Sequence, residues 1–145
     1  LVQLGKMDAM VDINFQHFSV IEQALQGLES EGVTLRRVPA KCTPLGDAVV
    51  FELPSQELAL TFSARMSERG LDTKNLPGAL DWHFAGKWDH IFTHYGMTKN
   101  QLWRHCLPSY KRLSRCVAVP VMVKDSAERV QQIADILREI AEEVL

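Results

Sequence analysis

Cysteine is scarce in this sequence. Its three residues, Cys42, Cys106 and Cys116, sit at unrelated spacings, which excludes a disulfide framework and a CxxC zinc or redox motif. Reduced core thiols are the expectation instead. Charge of one sign is also missing: 16 basic and 18 acidic residues, spread along the chain, leave a formal charge of -2. With no polybasic run to neutralise a row of phosphates, nucleic acid is not an expected partner. No apolar stretch approaches the roughly 18 to 20 residues of a membrane span, and Leu1 to Met10 lacks the basic-then-apolar order of a secretory leader. The expectation is a cytoplasmic protein with no membrane partner. A GxSxG elbow, a Walker loop and a GxGxxG turn are absent too, and Leu45-Gly46-Asp47 reads as a plain turn.

What is present is ordinary globular usage, 46% hydrophobic and 23% charged over 145 residues, enough for one domain with one core. Phe18, Ile21, Leu25 and Leu28 recur at spacings of three and four, which predicts a helix over Asn14 to Glu31, with Asn14 as its cap and Gly32 as its stop. Val33 to Val38 alternates imperfectly, as a partly exposed strand does. After the turn residues Thr43 to Asp47, the β-branched run Ala48 to Leu53 predicts a central strand, and the two strands form a hairpin. Pro54-Ser55 opens a second helix that Gly70 closes, with Leu58, Phe62 and Met66 turned inward. Leu107-Pro108-Ser109 reads as the start of a short helix with Tyr110, Leu113 and Val117 as its buried face. Val117 to Val123 reads as a strand in which Pro120 marks an edge or an end. Asp125 with Glu128 caps the last helix, where Val130, Ile133, Leu137, Ile140 and Val144 hold strict three-four spacing. The expected fold is α+β: a small, mainly antiparallel sheet covered by helices. Residues 1–13 are a lead-in, and residues 14–145 form a single domain.

Leu71 to Leu107 has no clean period. It concentrates all three tryptophans, four of the five histidines and the breakers Pro77, Gly78, Gly86 and Gly96, so a long loop with short helices is expected, either carrying function or plugging the core with its aromatics. The run Trp82 to Tyr95 is the best candidate site: imidazoles exchange protons near neutral pH, a lysine holds an anion, and aromatic faces stack on a sugar or a cofactor ring. His90 and His94 stand four apart, the spacing of paired zinc ligands on a helix, but no glutamate completes an HExxH motif, and a third ligand would have to be found at His105 or Cys106. Cys106 beside His105 is no catalytic dyad, since sequence neighbours point apart on most backbones. No complete catalytic set and no metal set emerges from the residues.

From Asn14 onward the order of elements and several strings resemble the C-terminal portion of the DegT/DnrJ/StrS family of pyridoxal-phosphate-dependent sugar aminotransferases. The likeness is carried by the helix before Gly32, the strand Ala48 to Leu53 with Pro54-Ser55, the string Ser67-Glu68-Arg69-Gly70-Leu71-Asp72-Thr73, and the loop Leu76 to Trp88. Leu107-Pro108-Ser109-Tyr110, the strand Val117 to Val121 and the helix from Asp125 complete it. It spans nearly all of this chain but less than half of a family enzyme.

The resemblance implies the small domain of a type I transferase, which contributes substrate contacts and subunit packing and is not catalytic alone. None of Lys6, Lys41, Lys74, Lys87, Lys99, Lys111 or Lys124 stands in the context of the family's Schiff-base lysine, so pyridoxal phosphate is implied for the full-length enzyme and not for this chain by itself. His83 resembles the family's loop histidine near the substrate, and Lys87 and Trp88 lie where a sugar or its phosphate tail is met. Asn14-Phe15 resembles the asparagine-tyrosine pair that reaches the neighbouring subunit's cofactor phosphate, although Gln16, His17 and Ser19 stand where a basic residue, a methionine and a glutamate are expected. The implied partners are a second copy or a cofactor-binding large domain. A stand-alone binding or assembly module on the same fold is the alternative, and a metal-assisted hydrolase at His90 and His94 a third reading.

Overall fold

In the computed structural model, which describes residues 4–145, a three-stranded antiparallel sheet of order β1-β2-β3 lies against three helices. The strands are β1 (Thr34–Leu35), β2 (Ala48–Glu52) and β3 (Cys116–Pro120), with Leu35 opposite Phe51 and Phe51 opposite Val117. Helices α1 (Met7–Leu25), α2 (Gln56–Glu68) and α5 (Ala127–Val144) cover one face, and α5 packs between the other two. The expected α+β class and the hairpin of β1 with β2 are therefore present.

The core follows from alternation meeting helical period. Val49 and Phe51 on β2 and Val117 and Val119 on β3 are buried, and the α5 stripe of Val130, Ile133, Leu137 and Ile140 closes over them. Phe51 meets Phe62 of α2 edge-to-face, with ring centroids 5.3 Å apart, the geometry that sets the positive ring edge against the negative face. Ser55 caps α2 by accepting from the Leu58 amide at 3.1 Å. At its other end Gly70 adopts φ 72°, which lets the Leu71 amide reach back to the Met66 carbonyl at 2.9 Å. The free edge of β3 is closed by irregular chain, since Lys74 donates its amide to the Ala118 carbonyl at 2.7 Å.

Several expected boundaries move. Helix α1 begins at Met7, so residues 7–13 of the expected lead-in are helical, and Asn14 is an interior residue and not a cap. It also stops a turn early: Gly27 turns left-handed at φ 93°, and a 3₁₀ turn over Leu28–Glu31 carries the chain to Gly32. Strand β1 keeps only two of the six expected residues, because beyond Arg36, whose amide donates to the Val50 carbonyl, the chain leaves the ladder. Strand β3 ends at Pro120, not Val123.

The cap of α5 is Ser126, which accepts from the Arg129 amide at 3.2 Å, one residue after the expected Asp125. The helix expected to start at Leu107-Pro108 is the end of a longer one, α4 (Lys99–Leu113). Thr98 and Gln101 form a full capping box there, and Pro108 lies inside the helix. Proline has no amide to donate to the Arg104 carbonyl, and both residues lie on the exposed side of the helix. Tyr110 and Leu113 of α4 are half-buried, whereas Val117 belongs to β3. Cys42 is exposed, contrary to the expectation of three core thiols; Cys116 is buried, and that burial raises its thiol pKa.

Because Leu137 is fully enclosed, Leu137→Ala is expected to cost about 2–5 kcal/mol, and Ser126→Ala about 1 kcal/mol. Urea unfolding followed by circular dichroism measures both.

Candidate functional site

The segment between α2 and α4 is built from short turns. A 3₁₀ turn over Gly78–Asp81 is followed by another over Ala85–Lys87, then by a single helical turn, α3 (Asp89–Phe92), and a third 3₁₀ turn over Thr93–Tyr95. Asn75 enters it with φ 68°, a left-handed conformation that asparagine adopts more readily than most side chains. These turns pack on α4 and make a second, smaller apolar cluster. The Phe84, Trp103 and Tyr110 rings lie mutually 5.0 to 6.4 Å apart, centroid to centroid. Gly86 lets the turn close on this cluster, since a Cβ there would meet the Phe84 ring at 2.5 Å and the Cys106 Cβ at 3.1 Å. The aromatics therefore split between the two expected roles: Phe84, Trp103 and Tyr110 pack, while Trp82 and Tyr95 are 63% and 82% exposed.

His83, Lys87 and Trp88 fall within this one knot of turns. The exposed His83 ring packs against Trp82 at a 38° tilt, centroids 3.8 Å apart, and lines a groove of about 260 Å³ with Asn75, Leu76, Leu80 and Phe84. Trp88 donates its indole N–H to the Trp82 carbonyl at 3.2 Å, and the Lys87 ammonium lies 3.8 Å from Asp81. Neither Lys87 nor Trp88 lines the His83 groove. Both His90, on α3, and His94, in the following 3₁₀ turn, are exposed. They do not share a continuous α-helix, and among the described residues no three metal-ligating side chains gather.

The entrance of the segment is pinned electrostatically. The Lys74 ammonium lies 2.6 Å from Asp47, at the start of β2, and this hydrogen bond holds the Asp47 carboxyl below its ordinary value. Sequence reading missed this pair, because 27 positions separate its members and no local pattern joins them.

Asn14 lies apart from the knot, on α1, in an apolar groove of about 380 Å³ with Leu4, Met7, Met10, Val11 and Leu45. Its side-chain oxygen is enclosed and has no hydrogen-bond donor among the described residues. Around it Leu4, Met7, Met10, Phe15 and Leu45 are all more than two-fifths exposed, a concentration of uncovered apolar surface of the kind that marks an interaction site.

The lysines do not fit a resident pyridoxal phosphate. A Schiff-base lysine must lose its proton, which burial or a cationic neighbour favours. Here Lys74, Lys87 and Lys99 each face a carboxylate, and Lys6, Lys41, Lys111 and Lys124 are exposed.

No protein-family model matches the sequence, and no curated protein matches it significantly. Solved structures do match in fold. Spr1654 from Streptococcus pneumoniae, assigned as a sugar aminotransferase, superposes in its apo form with a TM-score of 0.66 and 12% identity over 99% of this chain and 34% of its own. For 3-amino-5-hydroxybenzoic acid synthase the TM-score is 0.67 with 16% identity, over 97% of this chain and 36% of the synthase. The aminotransferase TlmJ from Streptoalloteichus hindustanus gives 0.68 and 18%, over 99% of this chain and 35% of its own. The chain thus has the fold of one part of these enzymes and spans about a third of their length.

Two outcomes follow from the site geometry. Gly86→Ala is expected to displace the Phe84 ring at a cost of about 1–3 kcal/mol, read as lost near-UV circular dichroism together with a lower urea midpoint. Asp47 has a depressed folded pKa, so its contribution is present above the ordinary aspartate pKa of about 3.9 and fades as pH falls through the lower folded value. The pair is half-exposed, so Asp47→Asn should lower stability at pH 7 by less than about 1 kcal/mol, and the wild-type advantage should vanish in acid titrations of unfolding.

Proposed function

We propose that this chain is the small domain of a pyridoxal-phosphate-dependent sugar aminotransferase of the DegT/DnrJ/StrS kind. It contributes substrate contacts and subunit packing to an active site whose cofactor a larger domain holds. The observation that carries this reading is the extent of the structural match: 97–100% of this chain falls on only about 35% of several aminotransferases. The lysine surroundings agree with it, since no residue here suits the cofactor's covalent anchor.

In this reading pyridoxal phosphate acts as the electron sink for transamination from within the larger domain. His83, Lys87 and Trp88 then face substrate: the exposed Trp82 ring beside His83 offers an apolar face to a sugar ring, and Lys87 offers a cation to an anionic tail. Asn14 supplies a polar contact toward the neighbouring subunit's cofactor phosphate, and the apolar surface of α1 around it packs against the larger domain or a second copy. The enzyme works in the cytoplasm as an oligomer. The same uncovered surface also suits a stand-alone assembly module on this fold, which differs in needing no cofactor domain.

The reading is tested by three measurements on the purified chain. Mixed with pyridoxal phosphate, it should develop no saturable imine absorbance; a stable imine at one lysine would sink the reading. Sedimentation should show concentration-dependent association that Met7→Lys with Met10→Lys abolishes. A wild-type chain that stays monomeric at high concentration and binds no hydrophobic dye would remove the apolar docking face. Joined to the cofactor domain of a sugar aminotransferase, the chain should restore turnover, which His83→Ala lowers at least ten-fold; restoration indifferent to His83, Lys87 and Trp88 would leave the assembly module.

A further inference from the structure

Opposite charges that lie near one another in this molecule commonly close into pairs. Arg112 and Arg115 both donate to Glu52, the Lys74 ammonium meets Asp47, and Arg69 meets Glu143. One groove departs from that habit. It holds about 320 Å³ between the end of β3, the chain that follows α2 and the start of α5, and Asp72, Lys124, Asp125 and Arg129 all line it. Two of these groups are anionic and two cationic, yet among the described residues none of the four has an opposite charge within ion-pair distance.

The backbone holds them apart. Asp72 follows the left-handed Gly70 beyond α2, and Lys124 and Asp125 lie in the turn that the Asp125 amide closes on the Met122 carbonyl at 3.2 Å. Arg129 stands in the first turn of α5, with its amide bonded to the Ser126 cap. Beneath these charges Leu71, Val119 and Ile133 are buried, and Met122 is exposed at the side. Glu128, in the same first turn, hydrogen-bonds with Ser126 and does not line the groove.

We propose that this groove binds a free α-amino acid with an apolar side chain. A zwitterion bridges charges of both signs without adding net charge. The Arg129 guanidinium presents paired donors to the ligand carboxylate, with Lys124 and the positive end of α5 beside it. The three donors of the ligand ammonium suit the Asp72 and Asp125 carboxylates. Leu71, Val119, Ile133 and Met122 receive the apolar side chain, and the volume lies at the small end of ligand sites. None of His83, Lys87 and Trp88 lines this groove, and the proposal is independent of the aminotransferase reading.

Calorimetric titration with L-leucine tests it, with 4-methylpentanoate, which lacks the ammonium, and 3-methylbutylamine, which lacks the carboxylate, as comparisons. Leucine should bind saturably and shift the amide resonances of Leu71, Asp125 and Ile133. Each single-charge analogue should bind at least about ten-fold more weakly, because one set of charge-assisted hydrogen bonds is lost. Arg129→Gln and Asp72→Asn should each weaken leucine binding at least about five-fold with an unchanged circular dichroism spectrum, while Lys111→Gln, on α4, should leave it unaltered. Absence of saturable binding, or binding indifferent to both substitutions, overturns the site. An analogue of either single charge that binds as tightly as leucine overturns the zwitterion assignment.

Discussion

The fold depends on one apolar contact, the stripe of α5 laid across β2 and β3. Val130, Ile133, Leu137 and Ile140 bring their side chains to the face where Val49, Phe51, Val117 and Val119 alternate inward. Removing that surface from water is the largest favourable term available to a chain of this size. Everything else is arranged around it: α1 and α2 flank α5, and the hairpin is held in register because a one-residue slip would turn Phe51 out into solvent.

A second, smaller centre of packing rides on the first. Phe84, Trp103 and Tyr110 join the turns of residues 78–95 to α4, and these turns bear the exposed Trp82, His83 and Tyr95. The division gives the molecule two kinds of surface. One is rigidly backed by the helices and sheet, while the other is irregular backbone positioned by an aromatic cluster and by the Lys74–Asp47 pair. Loops that carry binding residues are commonly supported in this way, by a scaffold that does not itself contact ligand.

Much of the scaffold was legible from periodicity. The stripe of α5, the inward face of α2, the Ser55 cap and the antiparallel hairpin all follow from local spacing, since each repeats its signal within a few residues. The errors have equally local causes. Thr98-x-x-Gln101 is a capping signature hidden inside an aromatic-rich stretch, and Pro108 drew the start of α4 too far along the chain. Gly27, not Gly32, ends α1, because either glycine can adopt the left-handed conformation and only tertiary packing chooses between them. Of the candidate site, His83, Lys87 and Trp88 were drawn from sequence proximity and resemblance, and they do share one knot of turns. The Arg112–Glu52–Arg115 cluster joins residues some sixty positions apart, and no periodic pattern carries that information.

Gly46 sits with φ 76° against the backbone of α1, where a Cβ would come within 3.1 Å of the Asn14 carbonyl oxygen. Every other amino acid is therefore penalised twice at this position, once by its own torsion and once by collision with a helix that cannot yield at the backbone. Neighbouring positions in the same bend carry no such double restriction. Across divergent descendants of this chain, position 46 should drift far more slowly than the bend around it, an invariant set by steric fit and not by chemistry.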